Sequence, residues 1–173
     1  DECGGGQIVV AQYFEYAMMH FTAHDYHRAA QLLTKVVELE PEDARGYNNL
    51  ALSYESSGHY EQAKQVLLAG LAADSEHNGL NYNYAKLMMD DQNYPAAIQH
   101  LLTAVRQDPN NPDIHFYLGA ALRQSHHADL SEKAFANVLS IDPGYAFKYI
   151  NTQTNKDYFH FVQDEHALLD AVS

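Results

Sequence analysis

Cysteine is nearly absent. The single one, Cys3, leaves no internal disulfide to staple a fold and does not fix the redox compartment. It lies in Cys-Gly-Gly-Gly behind Asp1 and Glu2, without the run of small and apolar residues that precedes a lipid-attachment cysteine, so residues 1–9 read as a flexible end. Positive charge is also scarce. Ten Lys and Arg stand against 23 Asp and Glu, a formal net charge of −13. That balance excludes a nucleic-acid backbone or an anionic membrane surface as the natural partner and favours a protein or peptide that is neutral to basic. No apolar run reaches the length of a bilayer span, which argues against direct membrane insertion. No leader peptide is visible, and the expected compartment, cytoplasmic or periplasmic for a soluble chain, stays open.

Catalytic machinery is missing from the pattern as well. Cys3 has no positioned base, the serines fall in turns or capping positions, and no glycine-rich phosphate loop follows a strand. The expectation is a protein that is not an enzyme and takes no cofactor. Eleven histidines raise the question of a metal. His20 and His24 stand four apart, but His20 falls where Tyr54 stands in the next repeat and His24 falls at a turn, so packing and turn roles explain them without a metal. Together the histidines would shrink the negative charge as they protonate.

What is present is a repeat. Across residues 44–77, Tyr47, Leu50, Ala51 and Tyr54 recur at helical spacing, Gly58 marks a turn, and Tyr60, Ala63, Leu67 and Gly70 form a second stripe. Such a helix–turn–helix is too thin to bury its own apolar face and needs copies of itself on either side. Shifting by thirty-four residues finds them. Tyr13, Tyr16, Ala17, Tyr26, Ala29 and Leu33 precede it; Tyr84, Ala85, Tyr94, Ala97, Leu101 and Ala104 follow, and then Leu118, Gly119, Leu122, Phe135 and Val138. Small residues fill two slots, Ala17/Ala51/Ala85/Gly119 and Ala29/Ala63/Ala97/Ser131, where helix axes must approach closely.

This period and this large–small pattern resemble the tetratricopeptide repeat (TPR) family over most of the chain. The resemblance implies an all-α, right-handed superhelical solenoid of antiparallel helix pairs, in four units (10–43, 44–77, 78–111, 112–145), with residues 146–173 as C-terminal capping helices. Asp25 and Asn93 are suited to cap second helices, and Pro41, Pro109 and Pro143 close units. Ser75 replaces the proline of the other units and Asn78-Gly79 follows, so this joint is expected to be the least rigid. Ala128 replaces a tyrosine, leaving room for Leu130 or a tail residue.

In a TPR solenoid the first helix of each unit lines a concave groove. The resemblance therefore places Phe14, Glu15, Met18, Phe21, Arg45, Asn48, Asn49, Leu52, Glu55, Tyr82, Asn83, Lys86, Met89, Phe116, Tyr117 and Arg123 against a partner. Their aromatic and methionine content reads as an interaction groove. Asn49 and Asn83 share a slot and could hold a peptide backbone, with Asn151 a further rung if the phase continues. Arg45, Lys86 and Arg123 do not reproduce the carboxylate clamp of another TPR class. The expected function is a non-catalytic adaptor or assembly scaffold that binds a peptide or helix of apolar and neutral-to-basic character. The alternative is a scaffold that self-associates through its tail or terminal repeats as a homo-oligomer.

Overall fold

The computed structural model describes residues 2–145, with side chains from residue 9 onward. The described residues form eight helices: α1 (Glu2–Thr22), α2 (Tyr26–Leu39), α3 (Ala44–Ser56), α4 (Tyr60–Ala73), α5 (Asn78–Asp90), α6 (Tyr94–Gln107), α7 (Pro112–Gln124) and α8 (Ala128–Ile141). They make four antiparallel helix pairs and, among the described residues, no strand. Helices α3, α5 and α7 begin thirty-four residues apart, as do α2, α4, α6 and α8. The expected capping helices over 146–173, and Asn151 with them, lie outside the described residues. At the other end, α1 extends back to Glu2, through a glycine-rich stretch expected to be irregular. Glycine costs about 1 kcal/mol per helical position, but each residue added to an existing helix gains a backbone hydrogen bond without a new nucleus.

The chain divides into two compact units, 1–87 and 88–173. In the first, α1 packs on α2, α2 on α3 and α3 on α4. One core cluster joins Ala17, Ala30, Leu33 and Leu50, with Phe14 and Tyr54 against it. Another joins Ala51, Ala63, Leu67, Leu80 and Leu87. Gly70, outside the two small slots, marks another close approach: a Cβ there would lie 2.7 Å from Cβ of Tyr47. In the second unit α6 packs on α7 and α7 on α8. There Gly119 lies against the Phe135 ring, and Ser131, in a slot that holds alanine in the other repeats, donates its hydroxyl to the Gly119 carbonyl at 2.8 Å. The buried hydroxyl is thereby satisfied.

Turn chemistry repeats with the same period. Asp25, Asp43, Asn93 and Asn111 each accept a backbone N–H at a helix start. His24, Gly58, Gln92 and His126 end the first helix of each pair with a left-handed φ of 59°, 79°, 60° and 62°. Only one of the four is glycine, the residue this conformation favours.

The joints between repeats share a device that residue type conceals. The Tyr47 hydroxyl donates to the Pro41 carbonyl at 3.1 Å, the Asn81 amide to the Ser75 carbonyl at 2.8 Å, and Nε2 of His115 to the Pro109 carbonyl at 2.8 Å. Each reaches back six residues from the same repeat slot. Asn81 also donates to the His77 carbonyl at 3.0 Å and is almost fully buried. The joint expected to be weak for want of proline is therefore tied by side-chain hydrogen bonds. Of the two candidates for the space beside Ala128, Leu130 is 51% exposed, and the tail residues lie outside the described residues.

Candidate functional site

Within the first unit, α1, α3 and α5 present most of the residues expected on the partner face. Val10, Phe14 and Val36 line a cleft of about 470 Å³ together with Ala11, Glu15, Glu40, Asp43 and Arg45. Phe14, Met18, Leu52 and Tyr82 are half-buried, so each holds a fixed position while keeping surface exposed. Phe21 is half-buried too and meets the Tyr26 ring edge-on, with centroids 5.3 Å apart.

The polar members of this face are largely occupied with one another. Arg45 grips Asp43 through two nitrogens, with Nη2 to Oδ2 at 2.6 Å and Nε to Oδ1 at 3.0 Å. The guanidinium hydrogen bonds hold the Asp43 carboxyl below its usual range, and the same contact raises Arg45. Lys86 donates to Glu55 at 2.9 Å and lies 5.8 Å from the Tyr82 ring centroid. Asn83 donates to Asn48 at 2.8 Å, and Asn49 donates back to the Arg45 carbonyl of its own helix at 2.9 Å. Asn83 is buried rather than displayed. The expected two-rung asparagine ladder is thus not held open for a partner, since one amide bridges α3 to α5 and the other folds onto α3.

The cations being tied down, the cleft's uncommitted charge is negative. Glu15 and Glu40 line it and, among the described residues, make no side-chain hydrogen bond or ion pair. The family resemblance placed Glu15 on this face. It did not bring in Glu40 and Asp43, which come from the α2–α3 joint and would have needed a three-dimensional repeat template to find.

In the second unit the expected site residues separate. Phe116 is buried, not displayed, and its ring packs on Tyr117, Phe135 and Tyr145 with centroids 5.7–5.8 Å away. Tyr145 seals this cluster and donates its hydroxyl to Asp113 at 2.6 Å. Phe116 is a core residue because Tyr145, just past α8, covers the face of α7 that an open groove would expose. Met89 is buried also. Tyr117 is half-buried, and Arg123 is exposed beside Ala128, Ser131, Glu132 and Phe135. His20 and Asp25 approach to 3.5 Å, and no group of three or more His, Cys, Asp or Glu that could hold a metal occurs among the described residues. No described helix is long and apolar enough to cross a membrane.

Paired helices at a fixed period with small residues at their contacts define a helical-repeat fold. Two family models match in succession, one described as tetratricopeptide repeat over residues 20–86 and one as TPR repeat over 85–125. The chain belongs to the tetratricopeptide repeat family, and its general role is non-catalytic protein interaction or scaffolding. Among curated proteins it is 22% identical to the DnaJ homolog subfamily C member 7 homolog of Dictyostelium discoideum, over 65% of this chain but only 29% of that protein. Among solved structures it resembles MamA 41-end from Desulfovibrio magneticus RS-1, with a TM-score of 0.74 and 16% identity, over 94% of this chain and 90% of that one. It equally resembles pilF of Pseudomonas aeruginosa, with a TM-score of 0.74 and 19% identity, over 95% of this chain and 76% of that one. These likenesses concern the fold.

Proposed function

We propose that the face formed by α1, α3 and α5 in the first unit binds a partner peptide or helix carrying apolar and basic side chains, and that the protein acts as an adaptor or assembly scaffold. The observation that carries this reading is the internal pairing of Arg45 with Asp43 and of Lys86 with Glu55, beside Glu15 and Glu40 on a cleft of mixed polar and apolar lining, where neither makes a side-chain hydrogen bond or close ion pair among the described residues. Phe14, Met18, Leu52 and Tyr82 supply the apolar contact, and the free carboxylates select a basic residue by complementary potential. Most of the affinity resides in a few such anchors. Because the asparagines are engaged, side-chain burial rather than backbone capture drives binding, which favours a helical ligand.

Capture from a cell extract by wild type and by a Leu52→Ala/Tyr82→Ala variant of unchanged helix content tests this reading. Each substitution is expected to cost at least about 1 kcal/mol of partner affinity. Undiminished capture by the folded variant contradicts it. Sedimentation of the chain alone over a wide concentration range tests the alternative of a self-associating scaffold. A monomer throughout fits the receptor reading, and a concentration-dependent polymer fits the alternative.

A further inference from the structure

The second unit carries an apolar groove on residues outside the expected partner face. Ile98, Leu102 and Val105 of α6 flank one side, Leu130 and Ala134 of α8 the other, and Leu118 and Leu122 of α7 lie buried at the base, around a volume of about 420 Å³. The edges are open, with Leu102 45% and Leu130 51% exposed. This apolar character is particular to the unit. The Leu130 slot holds Arg28, Gln62 and Ala96 in the other repeats, and the Ile98 slot holds Lys64 in the second. Repetition of the fold therefore does not require leucine and isoleucine here.

The electrostatics are the reverse of the first unit's cleft. No carboxylate is among the described residues that line the groove, although α8 carries Asp129 and Glu132. Lys133 does line it and, among the described residues, makes no hydrogen bond or ion pair. By contrast Arg28, Lys35, Arg45, Lys64 and Lys86 each lie within 3.5 Å of a carboxylate. Among the described residues, an ammonium thus stands unpaired at the edge of an apolar groove.

We propose that this groove docks one face of an acidic amphipathic helix from a partner protein, with aliphatic side chains between α6 and α8 and a carboxylate on Lys133. The α6 wall from Ile98 to Val105 spans about 10 Å, two helical turns, which suits anchors at i and i+3 or i+4. The ammonium supplies the charge complementarity that sets orientation. The proposal does not rest on the reading of the first unit, whose free charge is opposite, and it gives the chain two faces for two kinds of partner.

The probe is a blocked, fluorescein-labelled helical peptide with a leucine stripe flanked by glutamates, titrated against the full chain and followed by anisotropy. Leu102→Asp and Leu130→Asp, both at exposed positions, are each expected to weaken binding about ten-fold. Lys133→Glu is expected to weaken it about three-fold at low salt, and Tyr82→Ala to leave it unchanged. Failure of the peptide to bind, binding that survives Leu130→Asp, or indifference to Lys133→Glu would overturn the proposal. So would a dimer of the chain that Leu130→Asp dissociates, since the occupant would then be a second copy.

Discussion

The side-chain amide of Asn83 on α5 donates to the amide oxygen of Asn48 on α3 at 2.8 Å, across two repeats. On the same two helices Gly79, four residues before Asn83, also lies close to Asn48, and Lys86, three residues after Asn83, reaches Glu55. The polar groups of this face knit neighbouring first helices together. Coupling between Asn48 and Asn83 is therefore structural. Asn83→Ala is expected to destabilise the fold by about 1–2 kcal/mol, and a double-mutant cycle with Asn48→Ala to return a coupling above about 0.5 kcal/mol. Urea denaturation measures both, and additive losses would contradict the bond.

The joint after α4 offers a sharper test. Asn81→Ala removes two hydrogen bonds and leaves the carbonyls of Ser75 and His77 without that donor. A loss of about 1–3 kcal/mol is expected. Asn81→Asp should be no better, because a carboxylate cannot donate to either carbonyl. Equal stability of wild type and Asn81→Ala would show that the joint is held by other means.

The left-handed turn positions carry strain that glycine would relieve. Gln92, at φ 60°, is exposed at the end of α5. Gln92→Gly is expected to stabilise by roughly 0.5–1 kcal/mol despite the greater freedom of the unfolded chain. Gly58→Ala, at φ 79° and with no atom within 4 Å of the added methyl, should destabilise through backbone strain alone. Melting curves for the two variants should shift in opposite directions.

Phe116 distinguishes core from contact surface. Phe116→Ala is expected to cost about 3–5 kcal/mol of stability, whereas Leu130→Asp should leave the melting temperature nearly unchanged. A folded, fully stable Phe116→Ala protein would place that ring back on an open surface.

Acid should act in two windows. Burial lowers the His100 pKa from its ordinary 6.5, so below that value the unfolded chain takes up protons that the folded chain refuses, and stability falls as pH drops. The Arg45 hydrogen bonds lower Asp43 from 3.8, so its contribution is present above that value and is lost as pH falls through the lower folded one. Urea midpoints are expected to fall between pH 7.5 and 5.5, and His100→Gln should reduce that fall. Loss confined to pH below 4 would remove His100 from the account.

The repeat was legible because large and small residues recur at the slots where helices meet, as at Ala51 and Ala63, both fully buried. The groove was legible only in part. The repeat resemblance puts Tyr82 and Phe116 in the same slot, but it cannot see that Tyr145 covers Phe116. The shared joint bond was hidden because tyrosine, asparagine and histidine look unrelated in a slot where all three reach a carbonyl six residues back. The fate of charge depended on distances, such as Arg45 on Asp43, that spacing does not supply.

The most direct measurement of the central claim is an amide NMR titration of the full chain with a leucine-rich, lysine-flanked helical peptide. The account predicts shift changes centred on Phe14, Met18, Leu52 and Tyr82, weakened by Glu15→Lys and Glu40→Lys. Saturable binding whose shifts lie on α6–α8 alone, or which is untouched by those charge reversals, would contradict it.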